Sequence, residues 1–125
     1  MLKIDSDATI HITRGDSAII NVSATDETGQ TYTFESGSII NFRIMEKKNV
    51  SNILFEKSIT LDEDTTQVEI DLDSSDTEFE ERANKPKTYW YEIEQVVNTQ
   101  TTTIVGYDEE NGAKLFIVYP EGKDD

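Results

Sequence analysis

The single histidine, His11, is the only imidazole in this chain that acid–base catalysis could use. It stands between Ile10 and Ile12 in a segment that alternates apolar and polar residues, and a β-strand would turn it toward solvent. A hydrolytic triad needs a histidine that is held by an acid and placed beside a nucleophile. No serine elbow accompanies His11, so the sequence favours a solvated strand histidine over a catalytic one.

Carboxylates are abundant, and Glu92 and Glu94 stand two residues apart beside Trp90. A glycosidase needs two carboxyl groups that face each other across a cleft. Two glutamates on one strand face do not meet that requirement, although a tryptophan beside them fits a sugar-binding surface. Ordinary outward-facing strand residues are favoured, no catalytic residue is predicted, and the protein is predicted not to be an enzyme. A carbohydrate-binding module is kept as an alternative.

The acids also cluster along the chain, with ten between residues 61 and 81 and a second acidic loop at residues 108–111. Neither cluster has the spacing of a calcium-binding loop. The chain has no cysteine for a disulfide or a thiolate metal site. We therefore predict no metal and no cofactor. Arg14-Gly15-Asp16 spells an integrin-binding tripeptide, but a tight turn between strands uses the same residues.

The charge of the chain limits its partners. It has 26 acids against 11 Lys and Arg, a formal net charge of −15. Such a protein is repelled by nucleic acid and by anionic membranes, so neither is an expected partner. No apolar stretch approaches the roughly 20 residues that span a bilayer. The N-terminus has no secretory signal pattern, which favours synthesis in the cytosol.

The elements that must position these residues are strands. Alternation of period two recurs through the chain, with turn sequences such as Asn98-Thr99 and Asn111-Gly112 between the runs. The pattern predicts an all-β fold, an immunoglobulin-like antiparallel β-sandwich of seven to eight strands. We predict that the chain is divided into an N-terminal arm at 1–7, the sandwich at 8–120 and an acidic C-terminal tail at 121–125.

One short helical turn is expected before the strand that contains Tyr89. Ser74 or Ser75 can cap it, and Phe79 would be its buried anchor. Pro86 stops it.

The alternation along the predicted strands directs several apolar residues away from the core, and these are the candidate interface residues. Tryptophan is enriched at interface hot spots. An exposed N-terminal strand can also extend the sheet of a neighbour. The candidates are Trp90, Ile19, Ile39, Met45, Val96, Leu2 and Ile4.

Several short motifs occur in a characteristic order. They are ITRGDS at 12–17, DETGQTY at 26–32, IINFRI at 39–44, FEK at 55–57 and TYWYEIE at 88–94. This order resembles the immunoglobulin-like N-terminal domain of phage baseplate upper proteins, and related small head-fibre or tail-accessory proteins, over most of residues 10–119. The resemblance implies a non-enzymatic domain that anchors a protein to the particle. The chain departs from the family in stopping after one domain and in the acidic loop that follows Gly106.

The expected function is therefore that of an accessory or adaptor protein of the baseplate or tail of a bacteriophage virion or phage-tail-like particle. Capsid decoration or a head-fibre role is the nearest alternative. The expected partners are other structural proteins of the particle, with several copies arranged around a symmetry axis.

Overall fold

The computed structural model describes residues 2–46, 49–79, 84–106 and 114–121, and it is an all-β sandwich as predicted. The described residues form nine strands and one 3-10 turn, rather than seven or eight strands. The strands are β1 (Leu2–Ile4), β2 (Ile10–Thr13), β3 (Ala18–Val22), β4 (Ile39–Glu46), β5 (Asn49–Thr60), β6 (Val68–Leu72), β7 (Lys87–Val97), β8 (Gln100–Val105) and β9 (Leu115–Tyr119). Among the described residues, no helix is long and apolar enough to cross a membrane.

The larger sheet has the strand order β1-β2-β9-β7-β4-β5. Its central strand, β7, has β4 along one edge, while β9 and β8 share the other edge, β9 near its start and β8 near its end. All pairs are antiparallel except β2 with β9, so the expected antiparallel sandwich contains one parallel pair. A parallel pair requires a long connection, and strands β3 to β8 lie between β2 and β9 in the chain.

The smaller sheet consists of β3 and β6, which pair over five residues. Alternate residues of β6 are buried, so one face of this sheet packs on the core and the other meets solvent. The core between the sheets is aromatic at its centre, where Phe42, Tyr91 and Phe116 contact one another with ring centroids 5.8–6.3 Å apart. The pairing of β3 with β6, and of β7 with both β4 and β9, follows the immunoglobulin sandwich.

The predicted helical turn is a 3-10 helix, Ser74–Thr77. Its N-cap is Asp73 rather than a serine, and the backbone N–H of Asp73 donates to Asp76 Oδ2 at 2.8 Å. Phe79 is half-buried, and its ring lies 5.2 Å from that of Tyr89. Phe79 thus packs against the core, but it is not the buried anchor of the helix, because it lies beyond the helix end and the buried residue of the helix is Thr77.

The N-terminal arm and the β7–β8 turn are ordered by strand pairing. Part of the predicted N-terminal arm is strand β1, which pairs with β2. Asn98 and Thr99 form the β7–β8 turn with positive φ angles of 51° and 67°, as a tight two-residue hairpin requires. The predicted Asn111-Gly112 hairpin and residues 122–125 of the tail lie outside the described residues.

Candidate protein-interaction surfaces

A row of four apolar side chains crosses the outer face of the larger sheet. In the strand register Trp90 lies opposite Met45 and Leu115, and Met45 lies opposite Ile53 on the far side. Cross-strand partners share a face, so Ile53, Met45, Trp90 and Leu115 form one line over β5, β4, β7 and β9. We call this line the Trp90 row. Trp90 and Leu115 are half-buried, and Ile53 is 48% exposed.

Met45 corrects one prediction. Its strand position faces away from the core, as expected, but the side chain is only 7% exposed. Its neighbours in the register, Trp90 and Ile53, are both large, and the register between β4 and β5 shifts at this point. Met45 is therefore a buried member of the Trp90 row, and a partner would reach Trp90 and Ile53 first.

The centre of the same face is charged. Arg43 Nη1 lies 2.7 Å from Glu94 and 3.5 Å from Glu92, and its Nε donates to Glu56. Partial burial acts to lower the pKa of Arg43, but the hydrogen bonds to Glu56 and Glu94 outweigh it, and the pKa is raised. Glu92 and Glu94 thus share one guanidinium rather than facing each other across a cleft. This arrangement gives no geometry for glycoside hydrolysis.

The remaining candidate residues do not join the Trp90 row. Ile39 is exposed and lies opposite half-buried Val96 at the other end of the outer face. Ile19 is 51% exposed on the solvent side of the smaller sheet. Leu2 and Ile4 are exposed on edge strand β1, in register with core residues of β2. The candidate interface residues therefore lie on three surfaces: the outer face of the larger sheet, the solvent side of the smaller sheet and the edge of β1.

His11 is more ordered than a solvated strand histidine. Its Nε2 lies 2.8 Å from Asp5 Oδ2, and its Nδ1 lies 2.9 Å from the hydroxyl of Tyr119. The side chain is 16% exposed. The three residues tie the β1–β2 turn to β9. The acid and the imidazole resemble two members of a triad, but the third group is a phenol rather than a serine or cysteine.

Arg14-Gly15-Asp16 forms a turn that is held by the rest of the domain. Arg14 Nη1 lies 2.6 Å from Glu121 and 3.5 Å from Glu78. The backbone N–H of Gly15 donates to Thr77 Oγ1, and the same hydroxyl donates to the carbonyl of Asp16. The tripeptide thus joins the end of β2 to the 3-10 turn. In the described part of the chain, no group of three His, Asp or Glu side chains is placed to hold a metal.

A groove lies between residues 24–28 and β8. It has a volume of about 570 Å³, and its walls are mostly apolar. Tyr32 lines it and donates its hydroxyl to Gln95 Oε1 at 2.7 Å, while Gln95 Nε2 donates to Ser38 Oγ at 2.9 Å. Gln95 and Ser38 are fully buried. This polar chain fixes the loop to β7 and so gives the groove a rigid wall.

Sequence reasoning missed Ile53, Leu115 and the groove. Period-two alternation does not give the face on which Ile53 lies, because a β-bulge next to Met45 interrupts the register of β4 with β5. The groove joins segments more than 70 residues apart, and no local pattern signals it. No protein-family model matches the chain, and the comparison with curated proteins found no match.

Proposed function

We propose that this protein is a non-enzymatic structural protein of a bacteriophage virion or phage-tail-like particle, an accessory or adaptor of the baseplate or tail. It docks on other particle proteins through the outer face of its larger sheet. The observation that carries the docking proposal is the Trp90 row, an apolar line over four adjacent strands with Trp90 and Ile53 accessible at the surface. The assignment to a phage particle is supported by the order of the sequence motifs.

The physical case rests on where apolar surface remains in contact with water. Contiguous apolar patches favour protein contacts, and buried tryptophans carry much of the binding free energy at interfaces. Removing such an anchor typically costs about 2 kcal/mol or more, which weakens binding about 30-fold. The net charge of −15 argues against an anionic partner such as nucleic acid.

The location is tested by immunogold electron microscopy on particles induced from the source strain. Label at the tail end supports the baseplate or tail assignment. Label over heads supports capsid decoration or a head-fibre role instead. Intact particles without label, in a lysate where the antibody detects free protein, would contradict the virion proposal.

The docking face is tested with Ile53→Ser and Trp90→Ala. Both variant proteins should be depleted from the particle fraction of a density gradient, because they no longer dock on the particle. The matched control is Ile19→Ser, because Ile19 is exposed to a similar degree on the opposite sheet. Urea denaturation should show that Ile53→Ser is folded, since its side chain is already half in water. Equal incorporation of Ile53→Ser, Trp90→Ala and the control would refute this docking face.

A carbohydrate-binding module is the second candidate, since Trp90 and Glu92 lie on the same sheet face. Glycan binding should raise the melting temperature, and Trp90→Ala should abolish that rise. Because Glu92 is already paired with Arg43, the protein-docking function is preferred.

A further inference from the structure

We propose that the groove between residues 24–28 and β8 binds an extended peptide segment of a partner protein that carries apolar and basic residues on one face. This site lies apart from the Trp90 row, and the proposal does not depend on the protein being a particle component.

The size of the groove and its apolar wall suit the side chains of a peptide. Its volume of about 570 Å³ falls within the roughly 300–1,000 Å³ of ligand sites. Ala24, Tyr32 and Ile104 line it, and all three pack partly against the core. The Tyr32 ring is held by its hydrogen bond to Gln95 and by an edge contact with Phe34 at 5.0 Å. This wall of the groove is therefore apolar and already in place before a peptide binds, which reduces the conformational entropy lost on binding.

The adjoining strand edge supplies main-chain partners. Among the described residues, β8 pairs with β7 only. In an antiparallel hairpin, residues that flank a two-residue turn are hydrogen-bonded partners, and alternate residues direct their main-chain groups outward. Gln100 and Thr102 fall on the bonded positions. Thr101 and Thr103 therefore present their N–H and C=O groups to the edge of β8 that faces away from β7. An extended segment can pair there and insert alternate side chains into the groove.

The charge of the groove selects the peptide. Asp26 and Glu27 line it, and none of the described residues that line it is Lys, Arg or His. Asp26 Oδ1 accepts hydrogen bonds from the hydroxyl and N–H of Thr28 and from the N–H of Gln30. These bonds hold the pKa of Asp26 below 3.8, so it is ionised at neutral pH. A basic residue on the peptide meets both carboxylates, whereas an acidic residue is repelled.

The test is fluorescence anisotropy with a labelled peptide of sequence Gly-Val-Ser-Lys-Ser-Val-Ser-Lys-Gly, in which Val and Lys alternate along one face. One comparison peptide has Glu in place of each Lys, and another has Pro in place of the central Ser, which removes a main-chain donor and leaves Val and Lys unchanged. The lysine peptide should bind, the proline peptide about tenfold more weakly, and the glutamate peptide not measurably. Absence of binding by the lysine peptide, or equal binding of the lysine and proline peptides, would overturn the proposal.

The site is located with Glu27→Lys and the control Glu69→Lys, which makes the same charge change on the exposed face of the smaller sheet. Glu27→Lys should weaken binding about threefold to tenfold. The control should change it less than twofold after correction for ionic strength. Equal losses in the two variants would mean that net charge alone attracts the peptide, which would contradict a site at the groove.

Discussion

Removal of the Tyr32 hydroxyl tests whether the buried polar chain holds the loop to the sheet. In Tyr32→Phe, Gln95 Oε1 loses the donor that lies 2.7 Å away. Gln95 is only 1% exposed, so water does not readily replace that donor. A buried acceptor left without a partner costs about 1–3 kcal/mol. Total stabilities of small domains are about 5–15 kcal/mol, so the effect is large enough to measure.

The assay is urea denaturation followed by the fluorescence of the only tryptophan, Trp90. Tyr32→Phe should lower the free energy of unfolding by about 2 kcal/mol with an unchanged m-value. The control is Ser58→Ala, which removes an exposed hydroxyl bonded to Asn41 at 2.6 Å and should cost less than about 0.5 kcal/mol.

A double-mutant cycle separates this hydrogen bond from packing. Gln95→Met alone leaves the Tyr32 hydroxyl without its acceptor, whereas Tyr32→Phe combined with Gln95→Met removes both partners. The double variant should therefore cost about 1 kcal/mol less than the sum of the single variants. A loss under about 0.5 kcal/mol for Tyr32→Phe, or strict additivity, would refute the proposed role of the polar chain.

Two further predictions concern a close backbone approach and acid stability. In Gly106→Ala the new Cβ would lie 2.7 Å from Thr103 Cγ2. We expect this close contact to lower the free energy of unfolding, measured by urea denaturation, by about 1 kcal/mol. Thr103→Ser should restore the lost stability because serine lacks that methyl group. If Thr103→Ser gives no rescue, the clash is not the cause. Hydrogen bonds lower the pKa of Asp7 and Asp26 below 3.8 in the folded state. Each ionised carboxylate therefore stabilises the fold above pH 3.8, and this stabilisation is lost as the pH falls through the folded pKa. Asp26→Asn should therefore have a lower urea midpoint than the parent at pH 6, and the difference should shrink below pH 3.8. A difference that is the same at pH 6 and pH 2 would contradict this.

The direction of the strand side chains was predictable because a half-buried strand repeats with period two. Trp90, Ile19 and Ile39 follow that rule, and the last two are exposed. Exposure itself depends on neighbours in adjacent strands, and so Met45 was wrongly expected to be accessible. Its partners Trp90 and Ile53 come from strands whose register the chain order does not specify.

Long-range arrangement was the part that sequence could not supply. The parallel pairing of β2 with β9 joins residues about 106 apart, as in Ile10 with Phe116. The contact of His11 with Tyr119 depends on that pairing, and the alternation alone predicted a solvated side chain. Local periodicity determines which side of a strand a residue occupies, whereas the partners on that side are determined by topology.

The Arg43 cluster adds a requirement for any partner on the proposed docking face. One guanidinium is surrounded by Glu56, Glu92 and Glu94, so one positive charge against three negative charges leaves a formal charge of −2 beside the Trp90 row. A matching surface therefore needs an apolar recess for Trp90 flanked by a basic residue. Such charge complementarity mainly raises the association rate and is screened by salt. Association through this face should consequently slow as ionic strength rises, whereas the dissociation rate should respond chiefly to loss of the tryptophan.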